Sequence, residues 1–397
     1  VLRTLGDNIH CQKNHLSMPK ETLLVQPVEK PNQFVGSDLS AQLIELSSFI
    51  RAGEARERYG VTGKGFSVAV LDTGLRTTHI DFKGRVSHQV NFTADNKGYI
   101  GDATDGNGHG TNVGGIIVAN GINTGLAPDA NIIPVKVLDN RGGGNFEAIV
   151  KALEWVLENH EQHNITVVNL SLSNGKNYLT DLSFAQTSEV YRAFNDLYKK
   201  DIAVVVAAGN DFFKHKSEQG MAFPAIVKGC ISVGAVYDAS AGSFSYLSGA
   251  RAFTSGAGRI TPFSQRLHPN KGGLYRTDIF APGAPVQSSG ISSDRGISIQ
   301  QGTSQAAPVV AGLVLLMQEY YSNIYNAMDP KTKGRLDPRP NVDQLTAWLR
   351  RGGISINDGD DEDDNVRNTG LDFIRVDAYD ALRQVKLHFV RYFAFPD

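Results

Sequence analysis

The sequence predicts an α/β protein built on a doubly wound, mostly parallel sheet flanked by helices, the arrangement of a three-layer sandwich. Three observations carry that reading. Short runs of Val, Ile, Leu and Ala recur from Phe66 onward. They alternate with stretches of helical period, as in parallel strands joined by crossover helices. Each run is mostly Val, Ile, Leu and Ala rather than apolar at every second position, the pattern of strands covered on both faces.

In chain order, the expected core strands are Ser67 to Leu71, Ile132 to Leu138, Thr166 to Ser171, Ile202 to Ala207 and Cys230 to Val236. Between them, Phe146 to Glu158 sets Ile149, Leu153, Val156 and Leu157 on one helical stripe, and Leu182 to Tyr198 repeats the pattern less cleanly. Residues 1–40 carry Pro19, Pro27 and Pro31 with little periodicity and are read as an N-terminal extension or the remnant of a pro-region. Residues 41–397 then form one large domain. Within it, the Gly-, Ser- and Ala-rich stretch near 238–260 reads as a surface insertion, and 357–365 (NDGDDEDDN) is the sharpest acidic run. No repeat recurs at periods of a few tens of residues, which excludes a solenoid.

Composition removes several classes of function. Lys plus Arg number 39 against 41 Asp plus Glu, a formal net charge of -2, so no broad field draws the chain to nucleic acid or an anionic membrane. No uninterrupted apolar run approaches the roughly 20 residues of a membrane span. The expected form is a globular monomer. The sequence opens at Val1 without a basic-then-apolar leader, read as a leader absent or already removed. Cys11 and Cys230 permit one disulfide, with Cys230 as a small buried apolar residue the competing reading. His10, Cys11 and His15 lack a fourth ligand and a zinc spacing.

Four motifs carry chemistry. Asp72-Thr73-Gly74 closes an apolar strand with a carboxylate, and a buried carboxylate can stabilise an imidazolium. His109 lies in Gly108-His109-Gly110-Thr111, followed by small residues that let a helix press close to the sheet. Ser304, in Gly302-Thr303-Ser304-Gln305-Ala306-Ala307-Pro308, opens a strongly apolar helix whose positive end favours a developing oxyanion. Asn210 follows Ala207-Ala208-Gly209 and brings a spare amide donor. Each has a plain alternative as turn, cap or packed residue. Together they set an acid, a base, a nucleophile and a donor at strand ends and helix starts along one sheet edge. That is the equipment for acyl transfer, with His109 taking the Ser304 proton, Asp72 orienting the ring, and Asn210 and the Ser304 N–H holding the oxyanion.

The motifs VAVLDTG, GHGTNVGG, AAGN and GTSQAAP resemble those of the subtilase family over roughly residues 45 to 385, and the order Asp, His, Ser is that of subtilisin. The resemblance implies a subtilisin-like serine endopeptidase acting on protein or peptide substrates, with no cofactor for catalysis. It implies that Gly142, Gly143 and Gly144, with Ser171, Leu172 and Ser173, form two edges between which substrate adds as a strand. Phe146, Ile149 and Leu172 match an apolar fourth subsite; Ala208, Gly209 and Ala222 match the first. Asp211, next to Asn210, is placed to attract a basic side chain into that first subsite, an exposed loop carboxylate being the plainer reading. The chain departs from the family at Asn112, Gln305 and Ser173, and the loop Asn120 to Gly125 is short for the calcium site to which Asp81 would belong. Two other acidic groups are candidates for structural calcium: Asp95, Asp102 and Asp105, and Asp358, Asp360, Asp361, Asp363 and Asp364. A secreted enzyme inhibited by its own pro-region is expected, an intracellular one being the nearest variant. A transpeptidase or peptide cyclase, with the 238–260 insertion as lid, and an inactive binding protein of the same fold are the alternatives.

Overall fold

The computed structural model describes residues 22–24, 42–185 and 187–394. His10, Cys11 and His15 lie outside them, so the disulfide and zinc questions do too; Cys230 is a buried free thiol whose Sγ–H donates to Val227 O at 3.0 Å.

A nine-stranded sheet forms the middle layer. Its members are β2 (Ser67–Asp72), β3 (Val90–Asn91), β4 (Asn131–Lys136), β6 (Ile165–Leu170), β7 (Ala203–Ala207), β8 (Ile231–Tyr237), β11 (Ile279–Ala284), β14 (Ile354–Asn357) and β16 (Asp372–Arg375). They run β14-β16-β11-β8-β7-β6-β2-β4-β3, and every pairing is parallel except the antiparallel β14–β16 at one edge. Three small sheets complete the strands: β1 (Thr22–Leu24) with β5 (Gly143–Asn145), β9 (Phe244–Ser245) and β10 (Arg251–Thr254) with β15 (Asp363–Asp364), and β12 (Val286–Ser289) with β13 (Ile297–Gln300). The helices are α1 (Gln42–Phe49), α2 (Ala52–Tyr59), α3 (His109–Val118), α4 (Phe146–His163), α5 (Glu189–Lys199), α7 (Thr303–Ala327), α9 (Val342–Gly352) and α10 (Ala378–Ala394), with one-turn α6 (Pro269–Gly272) and α8 (Pro330–Lys333).

Two apolar layers explain why the strands lack alternation. Val68 and Val70 of β2 pack with α3 and α7, whereas Ala69 and Leu71 pack on the other face with α4 and α5. Both faces must therefore be apolar. α7 is the central helix, buried from Thr303 through Glu319.

All five expected strands are present, shifted by one or two residues at some ends. The second expected helix starts later, at Glu189, because Ser188 caps it by accepting from Tyr191 N, while Asp181 is engaged instead by Lys228 N. Strand β11 is hidden in sequence by Pro282 and Gly283, which interrupt its apolar run. The stretch near 238–260 is not a loose excursion. It contributes β9 and β10, and β10 pairs with β15 from the acidic run. The contact is ionic as well: Thr254 Oγ1 donates to Asp363 at 2.9 Å, and Arg259 meets Asp361 at 3.4 Å.

Candidate active site

The four motif residues occupy neighbouring ends of these elements. Asp72 is the last residue of β2, His109 the first of α3, and Ser304 the second of α7, while Asn210 lies three residues beyond β7. Gly74 has φ +108°, and a Cβ there would lie 2.2 Å from Ala103 O, so only glycine makes the exit from β2. A Cβ on Gly110 would meet Gly74 O at 2.2 Å, which is how α3 comes close enough for His109 to reach the strand end.

His109 Nδ1 lies 2.8 Å from Asp72 Oδ1, which also accepts from Thr73 N at 2.7 Å. Both side chains are buried. Burial by itself would push the imidazolium down, but the charge and hydrogen bond of Asp72 and the charge of Asp105 outweigh it, and His109 titrates above the ordinary histidine range. Asp72 thus fixes the tautomer that leaves Nε2 free as a base.

Asn210 is oriented without ambiguity. Its Oδ1 accepts from both Thr303 N and Thr303 Oγ1 at 2.8 Å, so its Nδ2 must be the outward donor. Thr303 Oγ1 in turn accepts from Gly209 N at 3.2 Å. Ser304 Oγ donates to Ser171 O at 3.1 Å. A second link runs the other way, Ser171 Oγ to Ser304 O at 2.7 Å. The second link exists because Pro308, four residues on, has no N–H to offer that carbonyl. A helix-breaking residue therefore ties Ser304 to the strand end beside it.

The two departures from the family motifs beside His109 and Ser304 meet each other. Gln305 Nε2 donates to Asn112 Oδ1 at 3.3 Å and to Gln300 Oε1 at 3.2 Å, and Asn112 Nδ2 donates to Ser298 O and Oγ. Gln300 Nε2 closes the chain on Gly108 O, next to His109.

Among the residues expected at the subsites, Ile149, Leu172, Ala208 and Ala222 are buried and Phe146 is half-buried, its ring 5.2 Å from that of Phe223. Gly143 and Gly144 belong to β5, with Gly142 just ahead of it, and β5 pairs antiparallel with β1 in the register Leu23↔Gly144. Ser173 is buried, its Oγ accepting from Gly175 N at 3.4 Å. Asp211 corrects the expectation of an exposed carboxylate: it is 4% exposed and paired with Lys214 at 2.7 Å.

Asp105 departs most from its expected role. Its Oδ1 accepts from Thr73 Oγ1, Asn107 N and Gly108 N, each at 2.9 Å; its Oδ2 accepts from Thr111 N and Oγ1. Five donors leave no room for a cation, and the carboxylate instead clamps the start of α3 to the end of β2. Asp95 is turned to Lys136, 3.3 Å away, and to Asn140 N, while Asp102 accepts from Thr104 N. Buried Lys136 reaches Thr73 O at 2.6 Å, directly behind Asp72. Neither Lys136 nor Thr303 stood out in sequence, one lying inside a strand pattern and the other beside a more conspicuous serine. Asp358 is fully buried against Arg266 at 3.1 Å and accepts from Thr369 N and Oγ1. Asp364 accepts from Val366 N. Asp81 accepts from Ile122 N, Asn123 N, Asn123 Nδ2 and Ser289 Oγ, four protein donors for its two oxygens. Among the described residues, exposed Asp360 and Asp361 with Glu362 form the one group of three or more acidic, His or Cys side chains whose ligand atoms all lie within 4.8 Å of one another.

The family model "Subtilase family" matches residues 63–346, which include all four motif residues. The chain belongs to the subtilase family. This subtilase is 31% identical over 293 residues to the "Major intracellular serine protease" of Bacillus subtilis (strain 168), covering 72% of this chain and 79% of the relative. It is 33% identical over 268 residues to the "Extracellular serine proteinase" of Thermus sp. (strain Rt41A), covering 68% and 54%, and 33% identical over 276 residues to the "Subtilisin-like serine protease Pen ch 18" of Penicillium rubens, covering 67% and 46%. The chain spans about half the length of the latter two. Relatives thus carry both intracellular and extracellular names, and among the described residues no helix is long and apolar enough to cross a membrane.

Proposed function

We propose that this subtilase hydrolyses peptide bonds through an acyl-enzyme on Ser304. The observation that carries the reading is the buried Asp72–His109 contact set beside a nucleophile and an amide donor whose orientation Thr303 dictates. A substrate strand that takes Ser171 O with its own N–H displaces the Ser304 hydroxyl from that carbonyl. The hydroxyl then gives its proton to His109 Nε2 as Oγ bonds to the scissile carbon. Asn210 Nδ2 and Ser304 N hold the resulting oxyanion. Collapse breaks the C–N bond, and the imidazolium returns its proton to the departing amine. Water, deprotonated by the same imidazole, then releases the acyl group.

Gly142 to Gly144 and Ser171 to Ser173 serve as the two substrate edges, with Phe146, Ile149 and Leu172 around the fourth subsite and Ala208, Gly209 and Ala222 around the first. Main-chain pairing of this kind gives broad specificity. The insertion is held through the pairing of β10 with β15, which disfavours it as a movable water-excluding lid and so favours hydrolysis over transpeptidation. Residues 1–40 act as an inhibitory pro-region ahead of a catalytic unit at 41–397; support comes from β1 lying antiparallel on β5, where a substrate strand would pair. Structural calcium, if bound, uses Asp360 and Asp361, and excess EDTA then lowers the melting temperature; an unchanged value removes the ion.

Fluorophosphonate labelling tests the core of the reading. A chain without residues 1–41 should label on Ser304 and cleave a peptide library, and Ser304→Ala should do neither. A folded, truncated chain that fails to label would mean a binding protein of subtilase fold.

A further inference from the structure

A cavity of about 630 Å³ lies at the strand-start end of the sheet, opposite the end that carries the triad. It opens where β8 and β11 begin, at Ile231 and Ile279, whereas Asp72 ends β2. α5 supplies one wall, α9 another, and the segment from Met221 to Ser232 a third. Its size is that of an ordinary small-molecule site.

Its charge is one-sided. Lys228, Arg276, Arg350 and Arg351 line it, against Asp278 and Asp343. Both carboxylates are already engaged. Asp278 Oδ2 accepts from Ser232 N at 3.0 Å and Ser232 Oγ at 2.8 Å, and Asp343 Oδ2 accepts from Tyr198 OH at 2.7 Å. Arg350 is held in place by donating to Asp278 O at 2.6 Å. Burial pushes its guanidinium down, Asp278 opposes that, and the like charge of Arg276 adds to it. Among the described residues no carboxylate lies within ion-pairing distance of Arg276 or Arg351, and Lys228 rests over the Tyr275 ring at 4.7 Å instead. Asp278 lies in the field of both Arg276 and Arg350 and offsets part of their charge, while Arg351 stands exposed at the rim; the lining still holds four cations against two carboxylates, and its guanidinium forks offer donors to oxygen acceptors.

We propose that this cavity binds a small polyanion, with phosphate or carboxylate oxygens bridging Arg276, Arg350 and Arg351. The site does not depend on the peptidase reading. It does have a route to it: the wall between Met221 and Cys230 begins beside Ala222, one of the residues around the first subsite, so an occupied cavity braces the floor of that subsite.

The test is calorimetric titration of the full chain carrying Ser304→Ala, with pyrophosphate and with citrate at constant ionic strength set by chloride. Saturable one-site binding of either is the expected result, and the tighter of the two identifies the group as phosphate or carboxylate. Arg276→Ala and Arg351→Ala should each weaken it by about tenfold or more, the loss of one charge-assisted contact, while Arg295→Ala, on an exposed turn elsewhere, should leave it unchanged. No saturable heat with either anion, or unaltered binding in both cavity variants with native circular dichroism, overturns the proposal.

Discussion

Thr303→Val separates holding the oxyanion donor from being it. The valine keeps the shape of the threonine and deletes one hydroxyl, which is fully buried and makes two contacts. It donates to Asn210 Oδ1 at 2.8 Å and accepts from Gly209 N at 3.2 Å. Losing the second strands a buried backbone N–H, a cost of about 1–3 kcal/mol in stability. Losing the first leaves Asn210 held only by Thr303 N, also at 2.8 Å. If the hydroxyl supplies half of the orientation, roughly one neutral hydrogen bond, kcat should fall about tenfold. Asn210→Ala removes the donor itself and should cost about 100- to 1000-fold, the usual loss for such a donor in serine proteases. Steady-state rates on a chromogenic peptide anilide, with urea denaturation alongside, read both effects. KM should stay put, and Thr303→Ser should restore kcat. A Thr303→Val enzyme within about twofold of the parent, beside a crippled Asn210→Ala, would show that the hydroxyl does not orient the amide. Equal losses in the two would mean that the hydroxyl itself meets the oxyanion.

Because the His109 value is raised and catalysis needs the neutral ring, the acid limb of the kcat/KM profile should have its midpoint above about 6.5. Asp105→Asn should move that midpoint to lower pH by removing a neighbouring negative charge, and a fixed midpoint would strike Asp105 from the field at the ring. The linkage sign is that of a raised base: the stability His109 contributes is complete below its unfolded value and fades as pH climbs through the folded one. Asp358→Ala should cost about 3–5 kcal/mol by chemical denaturation, since it leaves the Arg266 guanidinium, stacked 3.7 Å over Phe212, buried without its counter-ion. Deleting residues 1–41 should raise kcat/KM, and a peptide of residues 18–28 added back should compete with substrate; no competition would detach β1 from inhibition.

The sequence by itself determined five of the nine strands of the sheet and singled out the candidate catalytic groups, because both rest on local grammar. Apolar runs of strand length, and Asp72, His109, Asn210 and Ser304 each inside a short motif, are legible without knowing any distant contact. What only the tertiary structure decided is what each carboxylate does. Asp105 looked like part of a cation site, yet it clamps α3, and Asp81, whose calcium loop is already short in the sequence, is bound by protein donors that include Ser289, 208 positions away. The stretch near 238–260 and the acidic run likewise became one small sheet across a hundred residues of chain. An acidic side chain is committed by whichever donors arrive within about 3 Å, and those donors come from elements brought together only by folding. Periodicity carries the layers; the partners of a buried charge are a property of the packed molecule.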